Sequence, residues 1–499
     1  PTKVIKESFV LAGGEKAAGL TRLQSVSMGD PEEYSEQAGV LTFRGGPLRQ
    51  NGAYGTVDVE QEQLSVVRGV RTSVLGNEYT GFGYGSQPLI VKWYSNIRAM
   101  MNIKDESRDT KAMKEVIMPS RDGKIYFFDL ETNAYSREPI EVGLPLDVTA
   151  AVNPFGYPLL YVGQTTDSVA GYTGVIGMRI YNLIDQNLIG FESGLCDQAL
   201  STKVGSVVSS PIVETDSDTL IYGADNGLLY TISMNTEFDL ENGKITVNPQ
   251  TAAYGYSTTL RNAQQGISAS VATYGDYAYF GDMAGSLQCV DLNTMQCVWA
   301  IDMGDSVLAS VAIECEDDDQ VYLYAGNVIN KNERSGPVRL MKVDALTGDI
   351  VWECQSEIRG RYASAPAKEG IYAGLMASPV VGKGDINDLV IFNVNRVMES
   401  DDSYYAVVYA LDKQTGEEVW SQPMDVDSVS SPIALYQPDG KSYLVMGDEN
   451  GTLRLMDGFF GTTISTVNLG SPIQASPAAY GNNIVVGTTG GMIYFVDLL

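Results

Sequence analysis

The residues able to do chemistry are unevenly supplied. Histidine is absent from the 499 residues, which removes Ser-His-Asp and Cys-His nucleophiles, histidine general bases, histidine zinc ligands and attached haem. Any catalysis must rest on carboxylates, Lys, Tyr or a cofactor. Cys196, Cys289, Cys297, Cys315 and Cys354 fall at unrelated spacings without a Cys-x-x-Cys, which argues against metal clusters and thioredoxin-like redox chemistry. Cys289 and Cys297 flank one hairpin turn and read either as two free thiols or as a cross-strand disulfide. Asp385, Asn387 and Asp388 alternate in the way of a calcium loop. They offer three side chains where the ion takes about six to eight oxygens, and they read equally as a polar turn. Two connections, residues 248–266 and 355–374, exceed ordinary hairpin length, and such loops tend to be functional. They hold Tyr254, Tyr256, Arg261, Arg359, Arg361 and Tyr362, residue types that anchor protein or sugar contacts or simply decorate a surface.

Charge narrows the partner classes. With 62 acidic and 33 basic residues the formal charge is −29. Such a potential repels nucleic acid and anionic membrane, which need Lys or Arg clusters to displace counterions. No apolar run reaches the roughly eighteen residues of a membrane span, and no signal-peptide pattern stands at Pro1. A start at Pro1 leaves a leader or membrane anchor ahead of it open.

The elements that must position these residues recur. Residues 408–420 read Val-Tyr-Ala-Leu-Asp-Lys-Gln-Thr-Gly-Glu-Glu-Val-Trp, a strand, a tight turn and a strand ending on a large aromatic. Asp344, Thr347, Gly348 and Trp352 sit at the same offsets as Asp412, Thr415, Gly416 and Trp420, and Asp291, Thr294 and Trp299 repeat them with Met295 in the glycine position. Ser-Pro openings stand at Ser210, Ser378, Ser431 and Ser476, with looser versions at Ser270 and Ser310. Four short strands per unit, joined by Gly/Asp/Asn turns at a period of about 40 to 50 residues, predict a β-propeller. Units fall near 84–143, 144–195, 204–250, 266–304, 305–356, 370–424, 425–470 and 471–499. The last lacks an outer strand, which residues 63–70 can supply, so that the ring closes without an open edge. The expectation is all-β: an eight-bladed propeller over residues 56–499, with seven blades the alternative. Residues 1–55 are expected as an extended lead-in packed on its outside.

The Asp-x-x-Thr-Gly-x-x-x-Trp hairpin around such a ring resembles the pyrroloquinoline-quinone-like repeat family, which includes quinoprotein dehydrogenases and BamB-like envelope scaffolds. The resemblance covers residues 63–499, and Thr42 to Gly46 with Arg49 look like the family's lead-in. It implies that these hairpins lie in outer strands and lock blades: Asp and Thr satisfy turn amides, Gly allows a positive φ, and Trp wedges against the next blade. The quinone enzymes carry in addition a vicinal Cys-Cys disulfide, a Trp beneath the cofactor, and Glu, Asn and Asp around calcium. Here no two cysteines are adjacent and no catalytic residue carries over by position. Gly81-Phe82-Gly83-Tyr84-Gly85 reads as a bending segment that admits the chain into the ring.

The resulting expectation is a non-catalytic scaffold outside the cytoplasm, periplasmic or at the cell surface, with a protein or envelope-polysaccharide partner. No cofactor is expected beyond a calcium ion at the Asp385 loop. The alternatives are carbohydrate binding or carboxylate-based catalysis at the propeller funnel and, as a minor one, a quinone-dependent dehydrogenase.

Overall fold

The computed structural model describes residues 3–195, 204–260, 265–317, 320–330, 336–354, 359–360, 371–398 and 404–499. Eight antiparallel blades form the expected β-propeller. Their innermost strands are Leu89–Lys92, Ala151–Val152, Ile212–Glu214, Ala272–Tyr274, Ala312–Asp317, Val380–Val381, Ile433–Tyr436 and Ala478–Tyr480. Blade 7 shows the plain pattern, Ile433–Tyr436, Ser442–Gly447, Thr452–Asp457 and Thr463–Asn468 in that spatial order. Every residue of its second strand is buried, because both faces of a blade pack against neighbours. The core therefore lies between blades. Tyr279 and Leu287 of blade 4, for example, pack with Leu323 and Met341 of blade 5.

Closure uses the strand foreseen near residue 63. Leu64–Arg71 pairs antiparallel with Met492–Leu498 as the outer strand of blade 8. Lys441 and Tyr443 of blade 7 both hold the carboxylate of Glu62 just ahead of it.

The lead-in behaves as two parts. Ile5–Ala12 pairs with Gln250–Thr258 and so extends blade 3 on its outside, as expected. Residues 38–54 do not pack outside, a correction to the sequence reading: they lie on the propeller axis. The cause is the unpaired inner edge that each first strand presents there. Blade 1 also departs from the simple unit, since the helices Ser95–Met100 and Asp105–Arg108 separate its first two strands. No described helix is long and apolar enough to cross a membrane.

Candidate functional site

Residues 38–54 touch the inner strand of every blade. Val40 pairs with Ile90 of blade 1, and Leu41 O accepts from Val152 N of blade 2 at 2.9 Å. Thr42 Oγ1 donates to Pro211 O of blade 3 at 2.7 Å. Pro47 O and Leu48 O accept from Thr273 N of blade 4 (2.9 Å) and Ile313 N of blade 5 (2.8 Å). Arg44 reaches Pro379 O of blade 6 at 3.1 Å and Pro432 O of blade 7 at 2.5 Å. Asn51 exchanges two hydrogen bonds with Ala434 of blade 7, and Ala53 pairs in parallel with Ala479 of blade 8.

Arginine suits this place because five N–H donors on one planar group can serve carbonyls that converge from several blades. Arg49 donates to Val271 O, Thr42 Oγ1, Phe43 O and Ser210 O, between 2.7 and 2.9 Å. Both arginines adopt positive φ, 57° for Arg44 and 54° for Arg49, where an L residue is strained. Burial pushes the pKa of both guanidinium groups down, to about 9, and no described carboxylate pairs with either.

A cavity of about 420 Å³ lies over this arm at the end where first and second strands meet. Tyr34 and Tyr436 line it, and each sits in the field of one arginine, Tyr34 of Arg49 and Tyr436 of Arg44. The Tyr436 hydroxyl accepts from the backbone N–H of Lys383 at 3.0 Å. Burial moves both phenol pKa values well above normal, so both remain protonated.

The opposite end of the axis is closed by Tyr84. Its hydroxyl donates to Met376 O at 2.5 Å and lies 2.9 Å from Leu308 O, residues just ahead of the inner strands of blades 6 and 5. Around it stand the Arg121–Asp147 pair (2.7 Å) and the Arg396–Asp427 pair (2.9 Å). Asp225 accepts from Ser206 and Ser268, each at 2.5 Å, and burial raises its pKa against those hydrogen bonds. The glycine–aromatic segment 81–85 thus enters the ring and also puts a side chain on the axis. Between the two ends the Ser-Pro openings form a girdle. Ser210 N donates to Ser270 Oγ, Ser270 N to Ser310 Oγ, Ser378 N to Ser431 Oγ and Ser431 N to Ser476 Oγ, at 2.8–3.2 Å.

The Trp hairpins sit at the blade interfaces. Asp412 Oδ1 accepts from Gln414 N and Thr415 N at 2.9 and 2.8 Å, and Asp344 and Asp291 do the same in their turns. Trp352 Nε1 donates to Lys413 O of the next blade at 2.9 Å, and Trp299 Nε1 to Ala345 O at 2.8 Å. A Cβ at Gly416 would lie 2.6 Å from the ring of Trp352; Gly348 faces Trp299 and Gly461 faces Trp420 in the same way. The turn glycine therefore serves the neighbouring tryptophan as well as its own backbone.

Other expected site residues are scattered. Within the connection over 248–266, Gln250–Thr258 is the outer strand of blade 3, and its small residues and Gly255 disguised the pattern. Tyr254 and Tyr256 are buried in it, donating to Gln288 (3.1 Å) and Asp282 (2.6 Å) of blade 4, so they are packing residues and not loop anchors. Arg261, Arg361, Tyr362 and Cys196 lie outside the described residues, and of Arg359 only the backbone is described, paired with Pro337. Asp385, Asn387 and Asp388 are exposed on the turn between the first two strands of blade 6. Among the described residues no cluster of three His, Cys, Asp or Glu side chains is placed to hold a metal. Cys289 and Cys297 are free thiols, because a bulge sets Cys289 opposite Trp299 and Cys297 opposite Val290. Trp299 and Trp352 are tied into blade interfaces, Trp420 packs on Gly461, and Trp93 donates to Glu115 at 2.9 Å. The arm's role was the main miss. Its one signal was the pair of arginines among turn formers at residues 42–49.

Known proteins bear on the fold. Residues 397–499 match the family model described as the outer membrane protein assembly factor BamB. The last blades carry that repeat. BamB from Moraxella catarrhalis is similar over 87% of this chain and 99% of its own, at 13% identity and a TM-score of 0.50. The quinohemoprotein alcohol dehydrogenases of Comamonas testosteroni and Pseudomonas putida HK5 each cover 92% of this chain and 80% of theirs. Each is 12% identical, with TM-scores of 0.59 and 0.60. At these identities the likeness is one of fold. No curated protein sequence matches the chain.

Proposed function

We propose that this protein is a non-catalytic interaction scaffold that works outside the cytoplasm and binds protein partners through its rim. The observation that carries the reading is the filled axis: residues 38–54 occupy one end and Tyr84 spans the other, so the chain's own groups take the place where a funnel enzyme would seat substrate. The rim is the surface left to use. Outer strands and hairpins of blades 4 to 8 expose Val298, Ile350, Val351, Val419, Phe459, Phe460, Val66 and Val67, and apolar groups gathered on open strand edges are the usual basis of protein contacts. The likeness to BamB supports a place in the cell envelope. Neither a quinone nor a resident metal enters the proposal.

The test is site-specific photocrosslinking in the producing cells, with the reactive group at Ile350 or Phe460 on the rim and at Lys383 beside the axial cavity. Discrete protein adducts from the rim positions are expected. Adducts confined to Lys383, or hydrolysis of a glycan panel that disappears in axial variants, would replace the scaffold with a funnel enzyme.

A further inference from the structure

Four Asn-Gly pairs occur in the chain: Asn51-Gly52, Asn226-Gly227, Asn242-Gly243 and Asn450-Gly451. In such a pair the glycine nitrogen can attack the asparagine Cγ, provided that the amide is free to turn and the N–H is uncommitted. Glycine, without a Cβ, hinders that approach least. The fold blocks three of the four. Asn226 is 6% exposed, its Nδ2 donates to Tyr230 Oη at 2.8 Å, and Gly227 N donates to Ala224 O at 3.0 Å. Asn51 is tied at both ends of its amide to Ala434, and Gly52 is buried. Asn450 is exposed, but Gly451 N donates to Asp448 O at 3.0 Å.

Asn242-Gly243 is different in each respect. It stands at the tip of the hairpin of Glu237–Asp239 and Lys244–Thr246, an insertion ahead of the outer strand of blade 3. Asp239-Leu240-Glu241-Asn242-Gly243 is a variant of the repeat turn, with asparagine at the place of Thr415. Asp239 Oδ1 accepts from Glu241 N and Asn242 N, each at 3.1 Å, as Asp412 Oδ1 does from the same positions of its own turn. Two features of the repeat are missing. Gly348, Gly416 and Gly461 each donate their N–H to the carbonyl of the turn aspartate at 2.8–2.9 Å, whereas Gly243 N makes no hydrogen bond among the described residues. No tryptophan covers the turn either: a Cβ at Gly243 would meet only Met100 Sδ, at 3.5 Å, and Asn242 is exposed. The Asn242 amide is held by the exposed carboxylate of Asp239 alone, Nδ2 to Oδ2 at 2.6 Å, a bond for which water can substitute.

We infer that Asn242-Gly243 is a self-modifying site, at which the side-chain amide is converted to a carboxylate through a succinimide. The Gly243 nitrogen loses its proton to hydroxide and bonds to Asn242 Cγ. The Cγ–Nδ2 bond then breaks, and Nδ2 takes a proton from water and leaves as ammonia. Water opens the ring at either carbonyl and leaves aspartate or isoaspartate, so the only co-reactant is water. The product withdraws the Nδ2 donor from Asp239 and sets a second carboxylate beside it, and like charges at that distance repel. The hairpin tip therefore loosens, while Phe238, 5.4 Å from Tyr157, keeps the base of the hairpin on blade 2. The site is independent of the rim proposed to bind proteins.

The folded full chain is incubated at mildly alkaline pH and mapped by proteolysis and mass spectrometry, with electron-transfer fragmentation to separate aspartate from isoaspartate. The same measurement on the chain in denaturant is the reference. Deamidation is expected at Asn242 ahead of the other three pairs, about two- to tenfold faster than at Asn450, the worth of one backbone hydrogen bond, and slowest at Asn51 and Asn226. In denaturant the four pairs should react at similar rates, since the fold no longer distinguishes them. Against Asn242→Gln carried through the same incubation, the modified chain should exchange amide hydrogens faster within residues 237–246 and at an unchanged rate elsewhere. Absence of modification at Asn242, equal rates at Asn242 and Asn450 in the folded chain, or the same preference for Asn242 in denaturant would each overturn the assignment. Unchanged exchange across the modified hairpin would overturn the loosening.

Discussion

Replacing Gly416 by alanine tests the reading of the repeat most directly. Gly416 has φ +73°, and a Cβ there would lie 2.6 Å from Trp352 Cδ2 and 2.7 Å from Cε3. Carbon atoms rest at about 3.5–4.0 Å, so the indole would have to retreat by about 1 Å. It has little room, being 8% exposed and tied through Nε1 to Lys413 O. The left-handed backbone costs about 1–2 kcal/mol for a residue with a Cβ, and overpacking adds about 1–3 kcal/mol, for a total of about 2–5 kcal/mol. Gly470 is the control, with φ +82° and nothing within 4 Å of where its Cβ would stand, so Gly470→Ala carries the backbone part alone. Denaturant unfolding followed by far-ultraviolet circular dichroism measures both. In a Trp352→Ala background the packing part should vanish, giving a coupling energy of about 1–3 kcal/mol between the two sites. Equal costs for Gly416→Ala and Gly470→Ala, or an unchanged cost without Trp352, would refute the view that the glycine exists to receive the neighbouring ring.

Arg49→Met should destabilise the ring by about 3–5 kcal/mol, since several buried acceptors lose a donor at about 1–3 kcal/mol each with partial relaxation; hydrogen exchange should quicken along the inner strands of blades 3 and 4, and unchanged protection there would show that the arm is not the hub. Glu62, held by Lys441 and Tyr443, has a pKa below its ordinary value, chiefly through the Lys441 hydrogen bond. A depressed carboxylate pKa stabilises above the unfolded value and is lost on acidification. Wild type should therefore lose its stability advantage over Glu62→Gln as pH falls through and below about 4.5, the ordinary carboxylate range, and a constant difference across that range would exclude the linkage. Calcium at millimolar concentration should shift the melting curve no more than magnesium does; a calcium-specific shift that disappears in Asp385→Asn/Asp388→Asn would assign a metal site to that turn.

Much of the ring was legible because its signals are local. The turn between Asp412 and Gly416 is closed by Asp412 Oδ1 on amides two and three residues ahead, so its chemistry is written within five adjacent letters. The same holds for the Ser-Pro openings, whose recurrence announced inner strands before the serine girdle was visible. The outer strand of blade 3 was not legible. Gln250–Thr258 contains small residues and a glycine where a strand normally shows branched or aromatic ones. Gly255 is needed because Phe9 of the added N-terminal strand packs onto it, with a would-be Cβ 2.3 Å from the Phe9 ring. That strand exists because two partners flank it, and neither partner adjoins it in sequence.

By itself, then, the sequence determined the class of fold, the blade number, the closing strand and the role of the Asp, Thr, Gly and Trp repeat. Each depends on hydrogen bonds or packing between residues at fixed, short or repeated spacings. Tertiary structure alone decided what occupies the axis. The arginine at 44 meets the carbonyl of Pro432 across 388 residues of chain, and Tyr84 meets Met376 across 292. Inner-strand carbonyls look alike in any blade and leave no mark in the side-chain sequence. Which segment satisfies them follows only from where the closed ring brings the ends of the chain.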